Sequence, residues 1–158
     1  MQLDRLREET EIEIDNLQEV VNDAKGLLET FASRPLTKPE VYGAGAMLGC
    51  FYTGVENLLS RFLKYQGIPL PTGEQWHDDL LGCFKAGALP DAALRFDEST
   101  LSVLGDLRKI RHVVRNRYAH LLRWDLLKPH LENLASLVEP LATCVRTALT
   151  ELEQKQTR

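Results

Sequence analysis

The sequence is poor in cysteine, proline and aromatic residues. Its three cysteines, Cys50, Cys83 and Cys144, are widely separated and odd in number. They therefore suit neither a disulfide framework nor a metal site, and we interpret them as reduced, small core residues. Only 7 prolines and 7% aromatic residues in 158 positions argue against a loop-rich β fold. A globular, helical protein is the class that this composition favours.

Long apolar runs and an excess of positive charge are also missing. No stretch approaches the roughly 18 apolar residues of a transmembrane helix, and the chain begins Met1-Gln2-Leu3 within an acidic amphipathic pattern. We therefore expect a cytoplasmic protein that does not associate with membranes. The formal net charge of -4 excludes binding of nucleic acid through a broadly basic surface, so any RNA contact must be local.

The usual signatures of cofactor chemistry are not found in this sequence. There is no glycine-rich phosphate loop, no paired-carboxylate spacing and no metal-ligand spacing, which leaves kinase, glycosidase and metallohydrolase functions unsupported. We expect neither a cofactor nor a bound metal.

Apolar residues, by contrast, are plentiful and recur in steps of three and four, which is typical of amphipathic helices. Helices are predicted at about 3–33, 39–65, 75–85, 97–120 and 125–153. Long helices joined by short loops bury their apolar stripes best as a bundle. The predicted fold class is therefore all-α, an antiparallel bundle of about five helices forming one domain over residues 1–158.

Two local features refine this prediction. The second helix carries small residues at Gly43, Gly45, Gly49 and Gly54, and since each internal glycine costs up to about 1 kcal/mol of helix propensity, close packing of another helix is expected there. Asp125 is predicted to cap the last helix.

The fourth predicted helix carries an unusual polar surface. On a helical wheel one arc of about 80 degrees contains four polar residues, and a neighbouring stripe contains three more at i, i+4 spacing. The arc consists of Arg108, Arg111, Arg115 and Tyr118, and the stripe of His112, Asn116 and His120. We expect this set on the open side of the helix, near its C-terminal end.

These residue types suit cleavage of RNA without a metal. An imidazole such as that of His120 can take a proton from a ribose 2′-hydroxyl or give one to the leaving 5′-oxygen, and the Arg115 guanidinium can hold the phosphate as charge builds. One histidine does not supply both an acid and a base, whereas a second copy across a dimer would. The alternative is structural: cations are favoured at a helix C-terminus, and the acidic first helix is available to neutralise the arginines.

The segment Arg115-Asn116-Arg117-Tyr118-Ala119-His120 resembles the Arg-X4-His motif of HEPN ribonucleases. Most of the chain is also similar to the HepT-like branch of that superfamily. The similar blocks are Phe51–Asn57, Gly73–Leu81 and Ile110–Tyr118.

This resemblance implies a dimer in which both protomers contribute Arg and His to a shared cleft. It implies metal-independent RNA cleavage, with tRNA as a plausible substrate, and a nucleotidyltransferase-like antitoxin as partner. The implied catalytic residues are Arg115, His120 and Asn116. The implied substrate-binding residues are Arg108, Arg111, His112 and Tyr118.

Two features depart from the family pattern. The better-known HepT toxins carry, two residues after the histidine, a tyrosine that the antitoxin modifies with adenylate; here that position is Leu122, with Tyr118 as an alternative acceptor. A second register takes Arg111 as the motif arginine and puts Asn116 where the histidine belongs. In that register His120 is incidental and the chain is an inactive or differently acting relative. The alternative function is a non-catalytic helical module that binds a nucleotidyltransferase.

Polar residues outside the fourth helix receive structural interpretations. We expect Trp76 in a core seam, with His77 or Asp78 capping the third helix. Glu56 paired with an arginine either fixes a catalytic guanidinium or forms a structural salt bridge, and both interpretations stay open.

Overall fold

The computed structural model describes residues 2–158, and these form a bundle of helices. The elements are α1 (Leu3–Ser33), α2 (Lys38–Tyr65), α3 (Trp76–Gly82), α4 (Glu98–Asn116), a single 3₁₀ turn (Ala119–Leu121) and α5 (Trp124–Gln156). Within the described residues no strand forms, and an isolated bridge between Lys85 and Phe96 closes the connection from α3 to α4. The predicted all-α bundle is confirmed.

The bundle is assembled around α2, which packs against every other helix. Side-chain contacts show how the neighbours run: Arg7 and Glu11 of α1 pair with Glu153 and Arg146 of α5 respectively. Increasing numbers on one helix meet decreasing numbers on the other, so α1 and α5 are antiparallel, as predicted. None of the helices within residues 2–158 is long and apolar enough to span a membrane.

Apolar stripes fill the space between the helices. In α5 the apolar residues at helical spacing are buried, as are Leu6, Ile14 and Leu17 of α1; the α5 residues are Leu127, Leu131, Leu134, Leu137, Leu141 and Val145. In α4, however, the buried residues are Leu104, Leu107 and Arg111. A charged side chain therefore takes a position on the inner face of that helix.

The glycines of α2 permit two close approaches. A Cβ at Gly54 would lie 2.7 Å from Cδ2 of Leu17, and one at Gly45 would lie 2.9 Å from Cδ1 of Leu122. The prediction of close packing is confirmed at these positions. A Cβ at Gly43 would meet nothing within 4 Å, so that glycine is not explained by packing.

The predicted end of α4 is wrong by about one turn. The helix stops at Asn116, and Arg117 already has extended backbone angles. The Asn116 side-chain amide donates to the main-chain carbonyl of His112 at 2.8 Å, and such local hydrogen bonds compete with continuation of a helix. Tyr118 and His120 therefore lie beyond the end of α4, and the helical wheel does not describe their positions.

Other boundaries and contacts also differ from expectation. The third helix ends at Gly82 rather than near Lys85, because the chain turns there into the Lys85–Phe96 bridge. Asp125 does not cap α5: Arg123 occupies the N-cap position, and its guanidinium pairs with the Asp125 carboxylate at 2.8 Å. Cys50 is exposed rather than in the core, since it lies off the buried face of α2.

Replacement of Gly54 by alanine tests the close packing of α1 on α2. We expect Gly54→Ala to lower the free energy of unfolding, because overpacking costs about 1–3 kcal/mol and outweighs the gain in helix propensity. Gly43→Ala, in the same helix but facing open space, should raise it by up to about 1 kcal/mol. Urea unfolding followed by circular dichroism measures both, and equal stabilisation by the two variants would contradict the packing argument.

Candidate active site

Most of the predicted polar residues of α4 line one cleft. The cleft has a volume of about 230 Å³, and its lining residues are His77, Arg108, Arg111, His112, Arg115 and Asn116. Arginines and imidazoles dominate this lining, although the chain as a whole is acidic. An anion such as a phosphate group is therefore the ligand that the cleft favours.

A buried ion pair between α2 and α4 lies beneath the cleft, and only its arginine lines the cleft. Nη1 of Arg111 donates to Oε2 of Glu56 at 2.7 Å, and both side chains are almost fully buried. The Arg111 guanidinium also lies over the ring of Tyr52, 5.8 Å from its centroid. The expectation that Arg111 lies on the open side of α4 is wrong, because this carboxylate holds it inside the bundle.

His77 binds the other oxygen of the same carboxylate. Its Nδ1 lies 2.5 Å from Oε1 of Glu56 and 3.2 Å from Nη1 of Arg111. An ionised carboxylate only accepts hydrogen bonds and an arginine only donates them. The hydrogen of this bond is therefore on Nδ1 of His77, and the 3.2 Å contact lies between two donors that bind the two separate oxygens of one carboxylate.

The third helix places His77 at the mouth of the cleft. The ring of Trp76 stacks on that of His77 with centroids 3.6 Å apart, and Asp78 pairs with Nε of Arg108 at 2.6 Å. These contacts correct the capping prediction, because the N-cap of α3 is Gln75. They also correct the core assignment of Trp76, which is 37% exposed.

Tyr52 closes the inner wall behind Arg111. Its hydroxyl is buried and has no hydrogen-bond partner within residues 2–158. Burial, together with the nearby Glu56 carboxylate, raises the pKa of the Tyr52 phenol well above its ordinary value. Tyr52 therefore stays neutral and packs against the guanidinium rather than transferring protons.

The residues of the Arg-X4-His segment are divided between two neighbouring surfaces. Arg115 and Asn116 line the cleft and also a second, more open recess of about 520 Å³ that contains Tyr118. His120 lies on the 3₁₀ turn beyond α4, exposed, with its ring stacked on Tyr118 at 5.7 Å between centroids. His120 lines neither the cleft nor this recess.

The acidic first helix does not neutralise the arginines of the cleft. Glu13 of α1 binds Arg61 of α2 at 2.6 Å, and Glu11 binds Arg146 of α5 at 2.7 Å. The acidic partners of Arg111 and Arg108 are instead Glu56 and Asp78, respectively. The structural alternative based on α1 is therefore wrong in its choice of partner.

The contact of His77 with Glu56 was not predicted from the sequence. Glu56 was recognised as a partner for an arginine, and that pair is confirmed. The sequence does show a histidine next to Trp76 in a short helix, and a carboxylate, Glu56, that interrupts the apolar face of α2. It does not show that the two side chains meet. The described residues contain no cluster of His, Cys, Asp or Glu suited to a metal ion.

Removal of the shared carboxylate tests how strongly it supports the site. We expect Glu56→Gln to lower the free energy of unfolding by about 3–5 kcal/mol, because it leaves the buried Arg111 guanidinium without its counter-charge. Asp78→Asn removes an exposed partner from the neighbouring Arg108 and should cost about 0–1 kcal/mol. Thermal unfolding by calorimetry compares them, and a Glu56→Gln protein as stable as Asp78→Asn would refute the buried pair.

A known protein family matches most of this chain. The model of the family described as HepT-like protein matches residues 44–152, more than half of the 158 residues. Neither a curated protein nor a solved structure matches the chain significantly. The matched segment runs from the glycine-rich part of α2 through the cleft to the end of α5, and the chain belongs to the HepT-like protein family.

Proposed function

We propose that this chain is a cytoplasmic, metal-independent RNA endonuclease that acts as the toxin of a toxin–antitoxin pair. The observation that carries the proposal is the cleft on α4, in which arginines lie beside imidazoles. The net charge of -4 means that attraction of RNA comes from this cleft rather than from the whole surface. A structured RNA such as tRNA, which presents a phosphate in a defined shape, is the substrate class that suits so local a site.

Four residues of the Arg-X4-His segment, Arg115, Asn116, Tyr118 and His120, have a chemical role in this proposal. Arg115 binds the scissile phosphate and stabilises its charge in the transition state, and His120 transfers a proton. Asn116 orients the phosphate, since its amide is anchored on the His112 carbonyl at the rim of the cleft. The remaining substrate contacts come from Arg108, Arg111, His112 and Tyr118.

A homodimer would bring a second copy of these groups to the same RNA. The turn after α4 exposes large apolar side chains at Tyr118 (77%) and Leu121 (54%), and the first turn of α5 exposes Leu126. Tyr118 and Leu121 also line the recess that continues the cleft past Arg115. An exposed apolar patch marks a binding surface, and a second copy on this one would approach Arg115 and His120 directly.

The antitoxin in this proposal is a nucleotidyltransferase-like protein. Leu122 has no hydroxyl group to modify, and it packs against the core. Tyr118 is the alternative acceptor, because its side chain is exposed beside Arg115. Modification there would place negative charge against the arginines that bind the substrate.

Cleavage of RNA by the purified protein tests the function. In the presence of EDTA, wild type should cut a panel of tRNAs and leave 2′,3′-cyclic phosphate ends. Arg115→Ala should lower kcat/KM by about 10²- to 10³-fold, and His120→Ala by about 10²- to 10⁴-fold. His130→Ala, on α5 away from the cleft, serves as the control and should cleave normally. A wild-type protein inert toward all these RNAs would support the non-catalytic, nucleotidyltransferase-binding module instead.

The dimer is tested by charging its proposed interface. Leu121→Glu should shift the protein to a monomer in light scattering and reduce RNA cleavage, since it places a buried carboxylate in the interface. Ile12 of α1 is exposed to the same extent, 54%, so Ile12→Glu is a matched control that should stay dimeric. A monomeric wild type, or dissociation only by Ile12→Glu, would exclude this interface.

A further inference from the structure

A second proton-transfer group lies in the cleft beside the arginines. His77 lines the cleft, and its side chain is 29% exposed although its Nδ1 faces the buried Glu56 carboxylate. We propose that His77 is a catalytic residue and serves as the general base of RNA cleavage, with Glu56 as its positioning residue. This inference rests on the proposed function, because it names a further residue of the same site.

The position of the proton favours the role of a base. Glu56 accepts from Nδ1 of His77 and from Nη1 of Arg111 on its two separate oxygens. With Nδ1 carrying the proton in the neutral ring, Nε2 has the free lone pair. A carboxylate behind an imidazole also stabilises the imidazolium that forms when Nε2 accepts a proton.

The surroundings of His77 hold its ring in place. Trp76 stacks on one face, and Glu56 belongs to α2, the helix at the centre of the bundle. The same carboxylate fixes Arg111, a guanidinium at the floor of the cleft. One buried group therefore orients a proton acceptor and a phosphate ligand toward the same volume, which is the preorganisation that catalysis requires.

This assignment gives His120 the complementary role. Nε2 of His77 takes the proton of the ribose 2′-hydroxyl, the 2′-oxygen attacks phosphorus, and the bond from phosphorus to the 5′-oxygen breaks. The imidazolium of His120 gives its proton to that 5′-oxygen. The products are a 2′,3′-cyclic phosphate and a 5′-hydroxyl, so charge and atoms balance without another reactant.

The central variant is His77→Asn, tested on an RNA that the wild type cleaves. The asparagine amide keeps a donor for Glu56 at the position of Nδ1 but has no basic Nε2, so we expect cleavage to slow by about 10²- to 10⁴-fold while the thermal unfolding temperature is maintained. His130→Asn is the matched control and should cleave like wild type. A His77→Asn protein within a few-fold of wild type would overturn the proposal, whereas an inert wild type would overturn the proposed function itself.

A substrate with sulfur in place of the 5′-oxygen distinguishes loss of the general base from loss of the general acid. A thiolate leaves without receiving a proton, so this substrate should restore cleavage by His120→Ala but leave His77→Asn slow. Restoration of His77→Asn would overturn its assignment as the base.

A measurement on wild type avoids any effect of mutation on folding. Diethyl pyrocarbonate modifies accessible imidazoles, and mass spectrometry locates the modified histidines. The 2′-deoxy form of the cleaved RNA, which binds but does not react, should protect His77 and leave His130 reactive. Equal reactivity of His77 with and without this RNA would show that the substrate does not cover it, and the proposal would fail.

Discussion

The buried carboxylate of Glu56 is the group on which the site depends. A carboxylate in the interior of a protein is costly unless its charge and hydrogen-bonding capacity are satisfied. Here one oxygen accepts from Arg111 and the other from His77. Residues of three helices therefore meet at one side chain. The hydrogen bonds that Glu56 accepts determine how His77 of α3 and Arg111 of α4 are oriented.

Segregation of charge explains how an acidic chain forms a cationic cleft. Three carboxylates of α1 pair with arginines of its neighbours: Glu9 and Glu13 with Arg61 of α2, and Glu11 with Arg146 of α5. Glu56 lies behind the cleft rather than in it, where it orients Arg111 without presenting its charge to a ligand. The arginines and imidazoles are left to face the open volume, and attraction of anions is local, as the net charge requires.

The segment between α4 and α5 leaves the helix next to the cleft. Because α4 ends at Asn116, Leu122 folds back onto α2 at Gly45, where the missing Cβ leaves room for it. Tyr118 and His120 are then displayed outward instead of continuing the helix. Arg115 and Asn116 line both the cleft and the recess that contains Tyr118, whereas His120 lines neither and stacks on Tyr118.

The order of the helices and their buried faces follow from the sequence by itself. Apolar residues at steps of three and four specify the inward face of a helix without knowledge of its neighbours, and α1 and α5 have the predicted stripes. The same helical spacing predicts that the arginines of α4 lie along one side of that helix. Residue spacing and family resemblance together predict metal-independent cleavage of RNA.

The tertiary structure alone decided which arginine is buried and which histidine is oriented. Arg111 and Glu56 are 55 residues apart in the chain, and His77 and Glu56 are 21 apart. On a helical wheel Arg111 differs little from Arg108 or Arg115, since the wheel contains no information about a carboxylate on another helix. The end of α4 could not be predicted from the sequence either. The hydrogen bond from the Asn116 amide to the His112 carbonyl competes with continuation of the helix, and helix propensity alone does not reveal it. Periodicity records which face of a helix is apolar, whereas the partners of its polar groups are determined by long-range contacts that exist only once the bundle has formed.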